Sequence, residues 1–377
     1  MKSSKKIIVS VTNDLYTDQR VHKMCMFMVK QGYNVVLLGR LLDNKTPLDR
    51  PYATKRFRLL FRKGALFYAN YNVRLFFYLL FHRADILVSN DLDTLLANTF
   101  IHQLKKTPLI YDSHEYFTEV PELTSRPKIK RVWERIEAYC FPKLDKIITV
   151  NYSIAEKYKR KYGKKLRVVR NVSPLFEFKD VPSKKELSIP ENKIILILQG
   201  AGINVDRGGE ELIEAMTLLP DCVLLIVGDG DVLSQLKQRV KELNISDRVL
   251  FFGRQPYEKM MQYTFHADIG LTLDKPSNDN YLFSLPNKVF DYIHAGTAIV
   301  ASNLPEVAKV IEHYHVGLLI SSHDPKDIAE TILRMIHQPN LLSELKENCM
   351  IARSNENWDK EVAQIEDFYP KIDKIEE

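Results

Sequence analysis

The sequence predicts an α/β protein made of two consecutive doubly wound parallel sheets, and three observations predict it. Short apolar runs alternate with amphipathic stretches along most of the chain, as βα units require. At 377 residues the chain is longer than one hydrophobic core usually serves. The alternation also breaks once, over Ser173–Pro190, where prolines, mixed charge and the lack of a clear period mark a linker, and then restarts. The expected organisation is a first domain over 1–172, a linker over 173–192, a second domain over 193–355 and a terminal helix over 356–377. Two doubly wound halves imply a cleft, with ligands outside the carboxyl ends of the strands.

In the first half, Lys6–Val11 reads as the opening strand, followed by the loop Thr12–Arg20 and a helix to Lys30 that Gly32 stops. Asn34–Leu38, Asp85–Ser89, Pro108–Asp112, Lys146–Val150 and Leu166–Arg170 read as further strands. In the second half the strands are Ile194–Leu198, Val223–Val227, Val249–Phe252, Ile269–Leu273, Ala298–Ala301 and Gly317–Ile320. Between the fourth and fifth of these, Pro286 can open a helix at its first turn, Asn287–Ala295 continues it and Gly296 ends it.

The bulk composition narrows the class. The chain is 45% hydrophobic and 27% charged, ordinary for a soluble globular protein. Cys25, Cys140, Cys222 and Cys349 show no metal spacing and read as reduced core residues of a cytosolic protein. The N-terminal apolar run is too short for a signal peptide, and no run reaches the length of a membrane span. The net charge of +6 is uneven. Arg50 to Ala84 holds no acid, and its basic residues are interleaved with aromatics. That segment reads equally as a surface for an anionic membrane and as a solvated basic rim over a helix whose aromatics face the core. No recognition motif for nucleic acid accompanies it.

The residues that could carry chemistry follow strands. The helix opening at Pro286 and Asn287 points free N–H groups into the preceding loop, a site for an anion such as a diphosphate. Lys288 adds a positive charge, and Asp291 lies on the same face one turn later. A Pro–Asn start with Lys and Asp on a solvated face is also common without any ligand. Gly200 and Gly202 follow the first strand of the second half, and Arg207 with Gly208 and Gly209 opens the next helix. Glycines let backbone approach a phosphate, and an arginine can bind it bidentately. The dinucleotide fingerprint fails, because Val205 stands where a glycine or alanine is needed. Gly228-Asp229-Gly230 reads as a turn that strand-to-helix geometry demands, and Gly253-Arg254-Gln255-Pro256-Tyr257 ends another strand. In the first half, Tyr111-Asp112-Ser113-His114-Glu115 follows a strand, and Asn13, Asp14, Asp18 and Arg20 lie in the first loop.

LPNKVFDYIHAGTAIVAS resembles the C-terminal signature of glycosyltransferase family 4, the retaining enzymes of the GT-B fold. The resemblance is strongest over Lys193–Pro305 and is traceable earlier in NDLYTDQR, YDSHE and WERIEAY. It implies two Rossmann-like domains facing each other across a cleft, with the terminal helix crossing back to the first. It implies that Asp291 holds the donor ribose and that Arg207 binds the donor diphosphate. It places Gly253, Arg254 and Gln255 against the base, and Ser284, Leu285, Pro286, Asn287 and Lys288 around the donor. Phe283 stands where the family usually has an acid that contacts the donor sugar. His114 matches the histidine near the reacting carbon, which makes His114, Arg207 and Lys288 the catalytic candidates. Asn13, Asp14, Asp18 and Arg20 would meet the acceptor and the donor phosphates. Asn90-Asp91-Leu92-Asp93 resembles the metal-binding Asp-x-Asp of the other glycosyltransferase fold. That fold has one domain, so a polar loop is the better account and no metal or other cofactor is expected.

The expected function is therefore metal-independent retaining transfer of a sugar from a nucleotide-diphosphate sugar to a saccharide or lipid-linked acceptor, in polysaccharide or glycoconjugate synthesis. The expected location is the cytoplasm, and the membrane reading of the Arg50 to Ala84 segment would add peripheral attachment to the inner face of the membrane. A nucleotide-sugar epimerase of similar build would convert donor without acceptor. A non-catalytic nucleotide-sugar-binding protein would bind donor without turnover.

Overall fold

Two parallel sheets organise the protein. The computed structural model describes residues 5–16, 18–42, 48–120, 123 and 125–370. The end of the expected terminal helix, 371–377, and the first basic residues, 1–4, lie outside the described residues. The chain divides into two compact units, Met1–Arg170 with Val362–Glu377, and Asn171–Glu361.

The first unit carries a seven-stranded sheet in the order β3-β2-β1-β4-β5-β6-β7. Its strands are β1 Lys6–Asp14, β2 Asn34–Arg40, β3 Ala53–Phe57, β4 Ile86–Asn90, β5 Leu109–Ser113, β6 Lys146–Thr149 and β7 Arg167–Val168. All neighbouring pairs are parallel, so helices must make the crossovers. These include α1 Gln19–Lys30, α2 Gly64–Phe81, α3 Leu92–Lys105, α4 Pro127–Cys140 and α5 Tyr152–Tyr162. β3 was not foreseen. It is a sheet-edge strand of alternating exposure inside the basic segment, so it lacks the apolar run that marks the central strands. The returning tail packs within this unit: Tyr369 lies edge-on to Phe27 at 5.6 Å, and Arg167 pairs with Asp367 at 2.8 Å.

The second unit carries a six-stranded parallel sheet in the order β10-β9-β8-β11-β12-β13. Its strands are β8 Ile194–Gly200, β9 Cys222–Gly228, β10 Val249–Phe251, β11 Ile269–Thr272, β12 Ala298–Ser302 and β13 Gly317–Ile320. Side chains alternate across a strand, and here both faces are covered. Leu196 and Leu198 join one apolar cluster, while Ile195 and Ile197 join the other. The segment expected to be a linker belongs to this unit, and its Leu187 and Ile189 are buried in the second cluster. The prolines broke the sequence period without removing the apolar anchors. All four cysteines are buried and free.

Candidate functional site

The second unit gathers its charged residues after the strand ends. The helix Asn287–Ala295 begins after Pro286, whose φ of −65° and ψ of 140° are extended, and ends at Gly296 in the left-handed region at φ 71°. Lys288 in its first turn is half-buried. Burial pulls its ammonium below the ordinary lysine value; Asp274 opposes that shift and Arg207 adds to it. Arg207 donates through Nη1 to Asp274 Oδ2 at 2.8 Å, and its guanidinium lies 4.0 Å from the centre of the Tyr281 ring. A carboxylate on one edge and an aromatic face beneath fix the fork. Arg207 Nε and Asp274 Oδ1 are nevertheless buried without hydrogen-bond partners. The cluster thus sets two cations against one carboxylate and leaves a guanidinium N–H unused.

The glycines of this unit fall into two groups. A Cβ at Gly228 would sit 1.8 Å from the Gly200 carbonyl oxygen, and one at Gly230 would sit 2.0 Å from that of Ile203. These two are demanded by packing, as the turn reading of Gly228-Asp229-Gly230 expected. A Cβ at Gly200 or Gly253 would meet nothing within 4 Å, so the backbone there faces open space. Arg254 is exposed, and Gln255 closes its own loop by donating to the Phe252 carbonyl at 2.6 Å.

Asp291 lies deeper than an open ribose site would suggest. It is 4% exposed. Its Oδ1 accepts from the Ser173 hydroxyl at 2.7 Å and the Tyr257 hydroxyl at 2.9 Å, and its Oδ2 from Gln199 Nε2 at 3.2 Å. Burial, then the Asp291 charge, pushes the Tyr257 phenol above its ordinary range. Phe283 caps the short helix Asp279–Leu282, and Ser284 donates to the Tyr281 carbonyl at 2.9 Å. Ser284, Leu285 and Pro286 then lead, half-buried, into the helix at Asn287, whose own side is exposed.

The first unit handles charge differently. His114 follows β5 and is held on all sides. Its backbone N–H donates to Asp91 Oδ1 at 2.8 Å, its Nδ1 lies 3.3 Å from Asp91 Oδ2, and its Nε2 lies 3.1 Å from Asn90 Oδ1 and 3.5 Å from Asp112 Oδ2. Burial alone would discharge the ring, but Asp91 and Asp112 overcome it and push the imidazole up to about 9. Asp91 has φ 54° and ψ 170°, a conformation that costs a non-glycine residue about 1–3 kcal/mol. Asp112 is buried, yet Arg20 and then His114 hold its carboxyl well below the usual range. Arg20 is not in a loop. It lies in the first turn of α1, 4% exposed, pairing through Nη2 with Asp112 Oδ1 at 2.7 Å and donating through Nη1 to the Val169 carbonyl at 2.9 Å. Asp18 caps that helix and accepts from Asn13 Nδ2 at 3.0 Å, while Asp14 accepts from the Tyr16 N–H at 3.2 Å.

Asn90 to Asp93 is not arranged like a metal-binding pair. Asp91 turns to His114, whereas Asp93 turns to Thr12, which donates to its Oδ2. Burial, then the Asp91 charge, raises the Asp93 carboxyl to about 8. Among the described residues no group of three or more His, Cys, Asp or Glu side chains could hold a metal ion.

A model described as "Glycosyl transferases group 1" matches residues 182–350, and one described as "Glycosyltransferase Family 4" matches residues 18–172. The chain belongs to the group 1 glycosyltransferases. As a member it has the GT-B type of fold, two Rossmann-like α/β domains in one chain. It is 25% identical over 159 residues to a chitobiosyldiphosphodolichol beta-mannosyltransferase of Debaryomyces hansenii, a match covering 39% of this chain and 32% of that relative. The chain thus spans about a third of that relative's length. In structure it resembles sucrose-phosphate synthase from Thermosynechococcus elongatus, with a TM-score of 0.78 at 18% identity over 97% of this chain and 98% of that one. It also resembles an Anabaena protein solved with UDP-glucose, with a TM-score of 0.71 at 16% identity over 96% of this chain and 98% of that one.

Sequence reasoning singled out Arg207, Lys288 and His114 from their places after strands. It missed Asp274 and Tyr281, which hold Arg207, and Tyr257, Ser173 and Gln199, which donate to Asp291 from distant segments. Only Gln199, adjoining the glycine loop, and Tyr257, within a flagged loop, carried a local signal.

Proposed function

We propose that this group 1 glycosyltransferase transfers a sugar, with retention and without a metal, from a nucleotide-diphosphate sugar to a saccharide or lipid-linked acceptor. The observation that carries the reading is the excess positive charge of Arg207 and Lys288 over Asp274, at a helix start. As the glycosidic bond to the diphosphate breaks, negative charge grows on the leaving group. The unused Arg207 N–H, the Lys288 ammonium and the first N–H groups of Asn287–Ala295 stabilise that charge where a metal otherwise would. An anion arriving there also relieves the repulsion between Lys288 and Arg207.

In this reading a ribose hydroxyl takes the place of the Tyr257 hydroxyl on Asp291. The open backbone at Gly253, with Arg254 and Gln255, receives the base. The first unit serves the acceptor. His114, held as imidazolium by Asp91 and Asp112, is the first unit's candidate for positioning the transferred sugar through its charge, and a phosphate oxygen takes the acceptor proton. The Anabaena neighbour's UDP-glucose supports a nucleotide-sugar donor. The lipid-linked saccharide in the name of the Debaryomyces relative supports the acceptor class.

The test is a thermal-shift panel with UDP, GDP, ADP, TDP and CMP, their sugars and their bare nucleosides, followed by product analysis with the stabilising donor. One nucleotide diphosphate should raise the midpoint, and Arg207→Ala should abolish the response. A response to nucleosides as large as to diphosphates would remove the phosphate from the reading.

A further inference from the structure

We infer that the outer face of the helix layer α2–α3–α4 in the first unit is a docking surface for an anionic membrane. Helix α2 carries two apolar stripes. Phe67, Tyr71, Leu75 and Leu79 are buried beneath it. On its opposite side Leu66, Val73, Phe77 and Phe81 repeat at the same helical spacing and are exposed, Phe81 at 77%. A helix apolar on both sides is normally covered on both sides, and among the described residues none covers this one.

The neighbouring helices extend the same face. Tyr68 of α2 meets Trp133 of α4 edge-on at 5.1 Å, Phe100 of α3 meets Tyr139 of α4 at 5.8 Å, and Lys105 of α3 donates to the Leu79 carbonyl at 2.9 Å. The three helices therefore form one layer over the sheet, and their exposed residues face away from it. Leu104 of α3 and Val132 of α4 add apolar area at 63% and 53% exposure.

The charge around this area selects the occupant. Arg74 is the single charged residue of α2. Lys106 follows α3, and Lys128, Arg131 and Arg135 are exposed on α4. Of the nearby acids, Glu119 pairs with Lys130 at 2.6 Å and Glu137 is buried against Lys161 at 2.6 Å, which leaves half-buried Glu134 among the exposed cations of α4. Exposed apolar side chains rimmed by cations match an interface of acyl chains beneath anionic headgroups. A second copy of the same face would set basic rim against basic rim. Among the described residues no helix is long and apolar enough to cross a membrane, so the layer would lie on the surface. This inference does not depend on which sugar or nucleotide the second unit binds.

The test is sedimentation of the full chain with vesicles of phosphatidylcholine alone and of phosphatidylcholine mixed with phosphatidylglycerol. Binding to the mixed vesicles alone, weakened by salt, is expected. The double variant Arg74→Glu/Arg131→Glu should bind about tenfold more weakly or worse. Phe77→Ser/Phe81→Ser should bind more weakly at every salt concentration. Neither pair touches the buried stripe, and unchanged nucleotide responses and thermal midpoints would verify that the variants fold. Should the aromatic pair unfold the chain, the charge pair decides alone. Equal binding to both vesicle types, no binding, or variants that bind as the parent does would each overturn the proposal. So would a concentration-dependent dimer that Phe77→Ser/Phe81→Ser dissolves, which would give the face to a second copy.

Discussion

The two units place charged residues at the ends of similar strands, but they balance them differently. Around His114 the charges cancel: the imidazolium and Arg20 face the carboxylates of Asp91 and Asp112. Around Lys288 they do not: Arg207 pairs with Asp274, and Lys288 feels that one carboxylate together with the Arg207 charge. Arg20 Nε, like Arg207 Nε, is buried without a hydrogen-bond partner, so the contrast lies in the charge: a charge-balanced network serves to hold a side chain in one place. An unbalanced one is poised to receive a charged ligand. In the proposed reading the anion of the donor goes to the second unit, and the first unit fixes the geometry of one imidazole.

The sharpest way to break that comparison is Arg207→Ala. If the unused N–H meets charge that grows in the transition state, kcat and kcat/KM should fall together by about 10²–10³-fold. Arg207→Lys should recover part of this, because an ammonium restores charge but not the fork. Steady-state kinetics on the donor found in the nucleotide panel would check it. An unchanged kcat in Arg207→Ala would remove the cluster from the chemical step.

The next effect concerns the balanced side. His114 should remain imidazolium through neutral pH and titrate near pH 9, which ring-nitrogen NMR shifts would report. Its folded value lies above the ordinary 6.5 of an unfolded chain. Its contribution to stability is therefore complete below about pH 6.5 and is lost as pH rises through about 9. The loss should be on the order of 3 kcal/mol, read from denaturant unfolding across that window. Asp91→Asn should lower the imidazole value by about one unit or more. A ring found neutral at pH 7 would mean that burial wins over the carboxylates and that the first unit is not balanced.

These contrasts trace what local pattern could reveal. The helix Asn287–Ala295 was legible because proline, apolar period and glycine all agree within one short stretch, and the central strands were legible as apolar runs. Strand ends were less so. β1 runs on to Asp14 and α1 starts at Gln19, which moves Arg20 from a loop into a buried ion pair. Its partner Asp112 is distant in sequence, and no local period encodes that contact. β3 was hidden because an edge strand need not be apolar. Asp274 and Tyr281, which aim Arg207, and Ser173, which reaches Asp291 from the segment read as a linker, were invisible for the same reason as the Arg20 pair.

Asp291 tests whether the second unit is unbalanced throughout or only at Lys288. Its carboxylate already accepts from Ser173, Tyr257 and Gln199. Asp291→Ala should then cost about 1–3 kcal/mol of stability, because buried donors lose their acceptor, and should also raise the donor KM. The two effects arise from one residue, so that variant alone cannot apportion them. Tyr257→Phe can. It removes one hydroxyl at the half-open edge of the network and leaves the deeper Ser173 and Gln199 bonds in place. The expected loss of stability is about 0.5–1.5 kcal/mol, the smallest effect here. If a ribose hydroxyl replaces the Tyr257 hydroxyl on Asp291, the donor KM should stay level or fall, since the competitor is gone. A KM that rises several-fold with intact stability would show instead that Tyr257 itself meets the donor. Asp291 would then act by orienting that phenol, one step removed from the ligand.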